Sequence, residues 1–232
     1  MMSLTEELIQ YSKDVIGGDI VSCKKHKWAC QRFLNDLEKQ ATEAFPYVFS
    51  EEKAERFLDW MRLFKHTKGT LAGKQKVPEP IEKFIFGNVF GWVHQGTGYR
   101  RFRKAYWQVA RKNAKSQDLA ITGLYGLAAD GEQYSEIYIA ATKKEQTRYV
   151  WGEATEIIKV PEFAGKIVTK FHEPIMSKAI LHPKSHSIFA RMSKDDKKNG
   201  DGASPHFGLL DEYHLHDTEE YYNVLTSGMK SR

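Results

Sequence analysis

Apolar residues recur along this chain at two different spacings, and the change falls near residue 103. In the first part they return every three or four positions, with charged residues between them. One such stripe consists of Cys30, Leu34, Leu37 and Ala41, and another follows over 51–64. Because an α-helix has 3.6 residues per turn, each stripe predicts a helix with one apolar face, of the kind that ordinary helices bury in a core.

A polar connection and a further apolar segment follow these helices. Residues 66–80 are rich in Gly, Lys and Pro, a composition that predicts a loop. The apolar and aromatic run over 81–93 predicts another helix, ending near Gly96. The first part of the chain is therefore predicted to be helical.

Beyond residue 103, short apolar runs alternate with helical patterns. Helices are predicted over 116–129 and 144–158. Strands are predicted over 105–109, 136–140, 166–171, 187–190 and 207–210. Alternation of this kind is typical of an α/β fold, in which helices flank a parallel sheet.

Composition and charge narrow the class of protein. The chain has 232 residues, of which 41% are hydrophobic, so it can build one domain or a core domain with a helical appendage. Its formal net charge of +5 suits a polyanionic partner, although many enzymes are equally basic. Cys23 and Cys30 lack zinc-site spacing and are predicted to be reduced in an intracellular protein. Neither a signal peptide nor a membrane-spanning run is predicted.

A candidate phosphate-binding loop follows the predicted strand over 105–109. In a P-loop, backbone N–H groups at the start of a helix cradle phosphate, a lysine reaches the terminal phosphates, and a hydroxyl binds Mg²⁺. Lys115 and Ser116 have this position, but Val109 and Ala114 stand where the general pattern has glycine. The alternative is a basic turn that precedes a helix, with solvated side chains. The loop consists of Ala110, Arg111, Lys112, Asn113, Ala114, Lys115 and Ser116.

The last apolar run, 207–210, ends in two acids, Asp211 and Glu212. In P-loop enzymes the first acid at such a strand end holds Mg²⁺ and the second polarises the attacking water. The alternative is a merely solvated strand end. The combination with a candidate P-loop about 95 residues earlier strengthens both assignments.

These motifs, in this order, resemble the large terminase subunits of tailed bacteriophages. The loop resembles that family's variant Walker A motif, which commonly lacks the first glycine, and the acidic strand end resembles its Walker B motif. The resemblance covers nearly the whole chain, through the segments 23–38, 79–85 on the adenine side, 90–92, 128–132, 137–142 with Gln146, 201–202, 205–206 and 209–214.

The resemblance implies an ATPase core with a RecA-like (ASCE) P-loop NTPase sheet. Such a core hydrolyses ATP with Mg²⁺ and works in a homo-oligomeric ring that moves double-stranded DNA into a procapsid. The implied partners are the terminase small subunit and the portal protein, with no membrane partner. The implied location is the host cell cytoplasm.

The resemblance also implies roles for individual residues. Lys115 would bind the β- and γ-phosphates, and Arg111 would contact phosphate within the loop. Ser116 and Asp211 would hold Mg²⁺, and Glu212 would be the catalytic base. The whole loop 110–116 would bind nucleotide. Glu82 would occupy the adenine side.

Two departures from the family qualify this expectation. The adenine-side segment usually reads Pro-Trp-Gln, whereas Ile81 and Glu82 stand here, and a carboxylate cannot donate to adenine as an amide does. The chain also stops soon after Glu212, before the family's coupling motif and nuclease domain. We therefore expect a helical segment at 1–95 and a core at 96–232 that is truncated after Walker B. An incomplete sheet and weak or absent turnover of this chain alone are the expected consequences.

Other residues are weaker candidates. Arg148 and Arg191 could serve as an arginine supplied to a neighbouring subunit's γ-phosphate, although surface arginines are far commoner. The lysines at 143–144 and 194–198 could touch DNA phosphates or simply be solvated. The five histidines that cluster in the last part of the sequence are not expected to form a metal site. They stand at positions 182, 186, 206, 214 and 216.

Two other functions remain open. One is a helicase-like DNA translocase with the same core. The other is an inactive nucleotide- or DNA-binding module, such as a prophage remnant.

Overall fold

The computed structural model divides the chain into two compact units. It describes residues 2–141, 144–159, 163, 165–172, 177–192, 203–216 and 218–229. The first unit comprises Met1–His66 and Lys74–Gln108, and the second comprises Thr67–Gly73 and Val109–Arg232.

Four α-helices and a short two-stranded sheet form the described part of the first unit. The helices are α1 (Leu4–Gly17), α2 (Lys24–Lys39), α3 (Glu51–Arg62) and α4 (Pro80–Gly91). The strands β1 (Tyr47–Phe49) and β2 (Trp92–His94) pair antiparallel. The predicted helices of this region are thereby confirmed, except that the last part of the run 81–93 forms β2 instead.

Local sequence signals explain where the helices begin. Ser3 Oγ accepts a hydrogen bond from the Glu6 N–H, and the Glu6 carboxylate accepts one from the Ser3 N–H, forming a capping box before α1. Ser50 caps α3 in a similar way, and Pro80 occupies the first turn of α4, where its missing N–H costs nothing. These caps fix the helix starts in the first unit.

Aromatic rings fill the centre of the first unit. Phe57 stacks on Phe90 with ring centroids 4.0 Å apart, and Phe33 meets Phe84 and Trp92 edge to face. Phe33, Phe57 and Trp92 are completely buried. Rings of this size contribute much of the apolar area that stabilises a small helical unit.

Among its described residues, the second unit contains a five-stranded sheet and three α-helices. The helices are α5 (Lys115–Ala128), α6 (Lys144–Ile157) and α7 (Glu220–Gly228). The strands are β3 (Glu136–Ala140), β4 (Val168–His172), β5 (Ser177–His182), β6 (Ser187–Met192) and β7 (Pro205–Leu210).

The sheet has the order β4-β5-β6-β3-β7. Strand β3 pairs parallel with β6 on one side and with β7 on the other. Strands β4, β5 and β6 pair antiparallel. The predicted parallel sheet is confirmed for β6, β3 and β7, and the hairpin of β4 and β5 extends it in a way that the sequence pattern did not indicate.

Helices cover both faces of this sheet. Along β3, Ile137 and Ile139 point to the face covered by α5 and α6, whereas Tyr138 and Ala140 join a cluster with Tyr221 and Leu225. The last two residues belong to α7. Alternation of this kind explains why β3 is apolar at every position after Glu136, as expected for a strand buried on both sides.

Glycines let α5 lie close to the sheet. A Cβ atom at Gly123 would come within 2.8 Å of the Phe189 ring, and one at Gly126 within 2.7 Å of the Phe207 ring. Phe189 lies on β6 and Phe207 on β7, so the two glycines seat the helix against neighbouring parts of the sheet. This contact places the start of α5 at the same end of the sheet as the end of β7.

The predicted strand over 105–109 is wrong. These residues are all described, yet they join none of the strand ladders. Tyr106 is 68% exposed. Aromatic and branched residues favour a strand only where a partner strand exists, and among the described residues this segment pairs with none.

Substitution of Gly123 by Ala tests the seating of α5. The added methyl group would force Phe189, which is completely buried, out of its place, so we expect a loss of about 1–3 kcal/mol in the free energy of unfolding. Urea unfolding followed by far-UV circular dichroism measures it.

Gly152→Ala on α6 is the matched control. A Cβ atom there meets no atom within 4 Å, so its effect should be neutral or stabilising by up to about 1 kcal/mol. Equal effects at the two positions would contradict the close approach of α5 to β6.

Candidate functional site

The loop before α5 has an unusual backbone. Lys112 and Ala114 both have positive φ angles, of 68° and 52°, although neither is glycine. Ala114 is the residue immediately before the first residue of α5. The left-handed conformation costs a residue with a Cβ atom about 1–2 kcal/mol, so this turn stores strain beside the start of the helix.

Hydrogen bonds within the loop hold it closed. The Asn113 side-chain amide donates to the carbonyl oxygens of Ala110 and Arg111, at 3.0 and 3.3 Å. The N–H groups of Gln117 and Asp118 donate to the Ala114 carbonyl oxygen.

The first turn of α5 directly follows this loop and presents backbone N–H groups at the start of the helix. An α-helix cannot satisfy its own first N–H groups, so those of Lys115 and Ser116 are directed towards the end of the helix, where an anion can accept from them.

The acidic pair stands at the end of β7. The Asp211 N–H donates to the Ala140 carbonyl oxygen at the end of β3, and the Glu212 N–H donates to Asp211 Oδ1 at 2.9 Å. Glu212 then takes a positive φ of 48°, which turns the chain out of the sheet. The two carboxylates thus lie at the carboxyl end of adjacent parallel strands, where α/β folds commonly bind ligands.

The structure brings the loop and the acidic pair together. Lys115 Nζ lies 3.6 Å from Glu212 Oε1, with the two side chains 25% and 33% exposed. Asp211 is almost completely buried. Burial raises the pKa of the Asp211 carboxyl above its usual value, a shift that the Glu212 N–H bond and the Lys115 charge oppose.

This set of groups fits a phosphate with a divalent cation. Mg²⁺ prefers a few carboxylate and hydroxyl oxygens together with phosphate oxygens, and Asp211 and Ser116 offer such donors. A cation beside Asp211 would also remove the unfavourable desolvation of a charged carboxylate. An ammonium group and helix N–H groups in the same place complement the phosphate.

Two histidines lie close to the acidic pair, and the sequence predicts no role for them at this site. His214 Nδ1 lies 3.5 Å from Glu212 Oε2, and His216 Nε2 lies 3.3 Å from the Asp211 carbonyl oxygen. Their position directly after the acidic motif was the signal for this contact. Polar groups that touch Glu212 bias where its carboxylate points.

Glu82 belongs to the first unit, where both oxygens of its carboxylate have hydrogen-bond or ion-pair partners. Its Oε1 lies 2.8 Å from Lys76 Nζ, and its Oε2 accepts a hydrogen bond from the Glu79 N–H. Both Glu82 and Lys76 are buried. Each oxygen of the carboxylate therefore has an internal partner, and the proposed contact of Glu82 with adenine stays a prediction.

The remaining candidates have ordinary surroundings or lie outside the described residues. The Arg191 guanidinium lies over the Trp151 ring at 5.1 Å, and Arg148 is exposed beside Tyr149. Lys143, Thr142 and the stretch 193–202, with its lysines, are not among the described residues, nor is the side chain of Lys144.

The chain is similar to known proteins in sequence and in fold. The family model described as "Terminase large subunit, ATPase domain" matches residues 80–232, which is more than half of the chain. The solved structure of the HK97 bacteriophage large terminase is similar with a TM-score of 0.60 and 17% sequence identity, over 78% of this chain and 36% of that chain. At that identity the likeness concerns the fold.

A curated relative is similar over a short stretch. It is Protein YmfN of Escherichia coli (strain K12), with 39% identity over 41 residues, which are 18% of this chain and 9% of that protein. The chain thus spans about a third of the length of the solved terminase and a smaller part of YmfN.

Substitution of Ala114 by Gly tests the strain in the loop. Glycine adopts a positive φ without a steric cost, so we expect the free energy of unfolding to rise by about 0.5–1 kcal/mol. Thermal unfolding of the variant measures this gain.

Ala110→Gly in the same loop is the control. Ala110 has no positive φ, so glycine there should leave the stability unchanged or lower it by up to about 1 kcal/mol. A loss at position 114 as large as at position 110 would show that the turn is not strained.

Substitution of Lys76 by Met tests the buried ion pair. Glu82 would then be a buried charge without its ammonium partner, and we expect a loss of about 3–5 kcal/mol in the free energy of unfolding. The double variant Lys76→Met/Glu82→Leu should recover most of this loss.

Urea unfolding followed by tryptophan fluorescence suits the measurement. Four of the five tryptophans (28, 60, 92, 107) belong to the first unit. Lys13→Met, at an exposed position of α1, should change little. A double variant as unstable as the single one would mean that Lys76 acts through its packing rather than through its charge.

Proposed function

We propose, for a chain that belongs to the family of terminase large subunit ATPase domains, that the loop 110–116 and the acidic pair bind Mg-ATP and hydrolyse it to drive DNA packaging. The observation that supports this most directly is the 3.6 Å approach of Lys115 Nζ to Glu212 Oε1. It joins two motifs that stand almost a hundred residues apart in the sequence.

The roles follow from the chemistry of each group. Lys115 and the first N–H groups of α5 would bind the β- and γ-phosphates, with Arg111, Lys112 and Asn113 in the loop around them. Ser116 and Asp211 would supply oxygen donors to Mg²⁺, which neutralises phosphate charge when it is bound.

Glu212 would act on the attacking water. Its carboxylate would orient the water and accept its proton, while the water oxygen forms a bond to the γ-phosphorus and the bond to ADP breaks. In the structure this carboxylate faces Lys115 instead. Nucleotide binding would therefore have to draw the lysine to phosphate before Glu212 can serve as the base.

The larger function belongs to the complete motor. Terminase large subunits move double-stranded DNA into a procapsid, and we propose the same role for the protein to which this domain belongs. The finer proposals are a homo-oligomeric ring, contacts with the terminase small subunit and the portal protein, and work in the host cell cytoplasm. No helix of the described residues has the length and apolar character of a membrane span.

Binding of Mg-ATP to the purified chain tests the proposal. Lys115→Ala removes a charge-assisted contact worth about 1.5–3 kcal/mol, so the dissociation constant should rise at least tenfold. Calorimetric or fluorescence titration with and without Mg²⁺ measures it. Lys166→Ala, at an exposed position of the second unit, should leave the affinity unchanged.

Glu212→Gln separates binding from catalysis. Loss of the ion pair frees Lys115, so affinity for Mg-ATP should stay the same or tighten by up to about fivefold, the range for a partly exposed pair. Any hydrolysis should disappear. Wild-type protein that binds no Mg-ATP would rule out an ATPase role for this chain. Mg-ATP binding that is unchanged in Lys115→Ala would show that the nucleotide binds at a site other than the loop 110–116.

A further inference from the structure

The exposed side of α2 in the first unit is basic along its whole length. Lys24, Lys25, Arg32 and Lys39 are exposed there. Among the 16 residues of α2, all of them described, Glu38 is the one exposed carboxylate.

The other acid of the helix is not available at this surface. Asp36 is buried, and its Oδ2 lies 2.5 Å from Arg101 Nη1. The Arg32 guanidinium lies over the Phe102 ring and is attracted by Asp36, so the exposed side of α2 carries three further cations, all lysines, against one anion.

Helical geometry places five residues of the exposed side in a row. Positions 24, 28, 31, 35 and 39 recur at four- and three-residue intervals, so Lys24, Trp28, Gln31, Asn35 and Lys39 lie on one stripe. With a rise of 1.5 Å per residue, the stripe from the first to the last is roughly 22 Å long. The opposite side of α2 holds the core contacts, so folding does not require the stripe.

The lysines on the exposed side of α2 are available to a ligand. Within the described part of the chain, Lys24, Lys25 and Lys39 take part in no salt bridge. Lys24 Nζ lies 5.0 Å from the centre of the Trp28 ring, an attraction that limits the freedom of the lysine side chain. A side chain already restrained loses less entropy when it binds.

The charges in the first turn of α2 are unfavourable for the helix itself. α1 and α3 carry acids in their first turns, as the helix dipole favours, whereas α2 has none and opens with two lysines. The two lysines at the start of α2 therefore do not stabilise the helix, and an anionic partner would offset their unfavourable position.

We propose that the exposed side of α2 is a contact surface for the phosphate backbone of duplex DNA, an inference that rests on the DNA-packaging function proposed above. Lysine, arginine and amide side chains are the usual donors to phosphate oxygens. A protein partner would be expected to bury an apolar patch, and the stripe offers a single aromatic ring. The Lys24 ammonium lies 5.0 Å from the centre of that ring, so a base of a single strand would have to displace it to stack on that face.

The test is binding of the full chain to a fluorescent duplex of about 20 base pairs, a length that exceeds the stripe, across a series of salt concentrations. Lys24→Gln/Lys39→Gln removes two phosphate contacts. We expect the dissociation constant to rise on the order of tenfold, and the slope of log affinity against log salt to fall by about 1.8. Lys13→Gln/Lys184→Gln removes the same charge at exposed positions elsewhere and should have little effect.

Three results would overturn the inference. They are an equal loss in both double variants, no loss in either, and tighter binding of a single-stranded oligonucleotide than of the duplex. Mg-ATP affinity is measured on the same proteins and should be the same in all of them. Wild-type chain that binds Mg-ATP but no duplex would refute the α2 surface alone, whereas chain that binds no Mg-ATP would refute the proposed function.

Discussion

The close approach of α5 to the sheet is the constraint on which the candidate site depends. Lys115 opens this helix and Asp211 follows β7, so their separation is set by how near the helix lies to the strand. Gly123 and Gly126 permit that approach, since a methyl group at either would collide with a phenylalanine ring of the sheet. Packing in the middle of the helix thus determines whether an ammonium group at its start can reach a carboxylate at the strand end.

Charge balance at the site favours a nucleotide with its metal ion over either alone. One ammonium group faces two carboxylates, and burial already raises the pKa of Asp211, which means that its negative charge is costly in this place. Phosphate would add more negative charge, and Mg²⁺ would compensate it. The ion pair between Lys115 and Glu212 engages both groups with each other, and in the proposed function phosphate would have to displace it. Catalysis and nucleotide binding would then be coupled through the Lys115 side chain.

Much of the second unit follows from sequence pattern, because buried strands and amphipathic helices differ in period. The strand over 136–140 and the helices after Lys115 and Lys144 are confirmed almost to the residue. The strand over 105–109 fails, since five residues of β-forming composition do not decide whether a partner strand is near. The site shows the same division. The pattern predicted that Lys115 and Glu212 belong to one site, and the structure brings them together, but the pairing of Glu82 with Lys76 depends on packing that the pattern alone does not encode.

The charged residues of the first unit include buried ion pairs, which stabilise the fold, and exposed cations on α2, which do not. Lys76 with Glu82, and Arg101 with Asp36, form pairs in which burial makes each charge depend on its partner. Because these pairs engage both acids internally, neither is available to neutralise cations at the surface. The pairing of Asp36 with Arg101 leaves the exposed side of α2 with an excess of positive charge that the fold itself does not need. A protein with the proposed packaging function could use such an excess without weakening its core, since the residues that bind DNA and the residues that stabilise the fold would then be different ones.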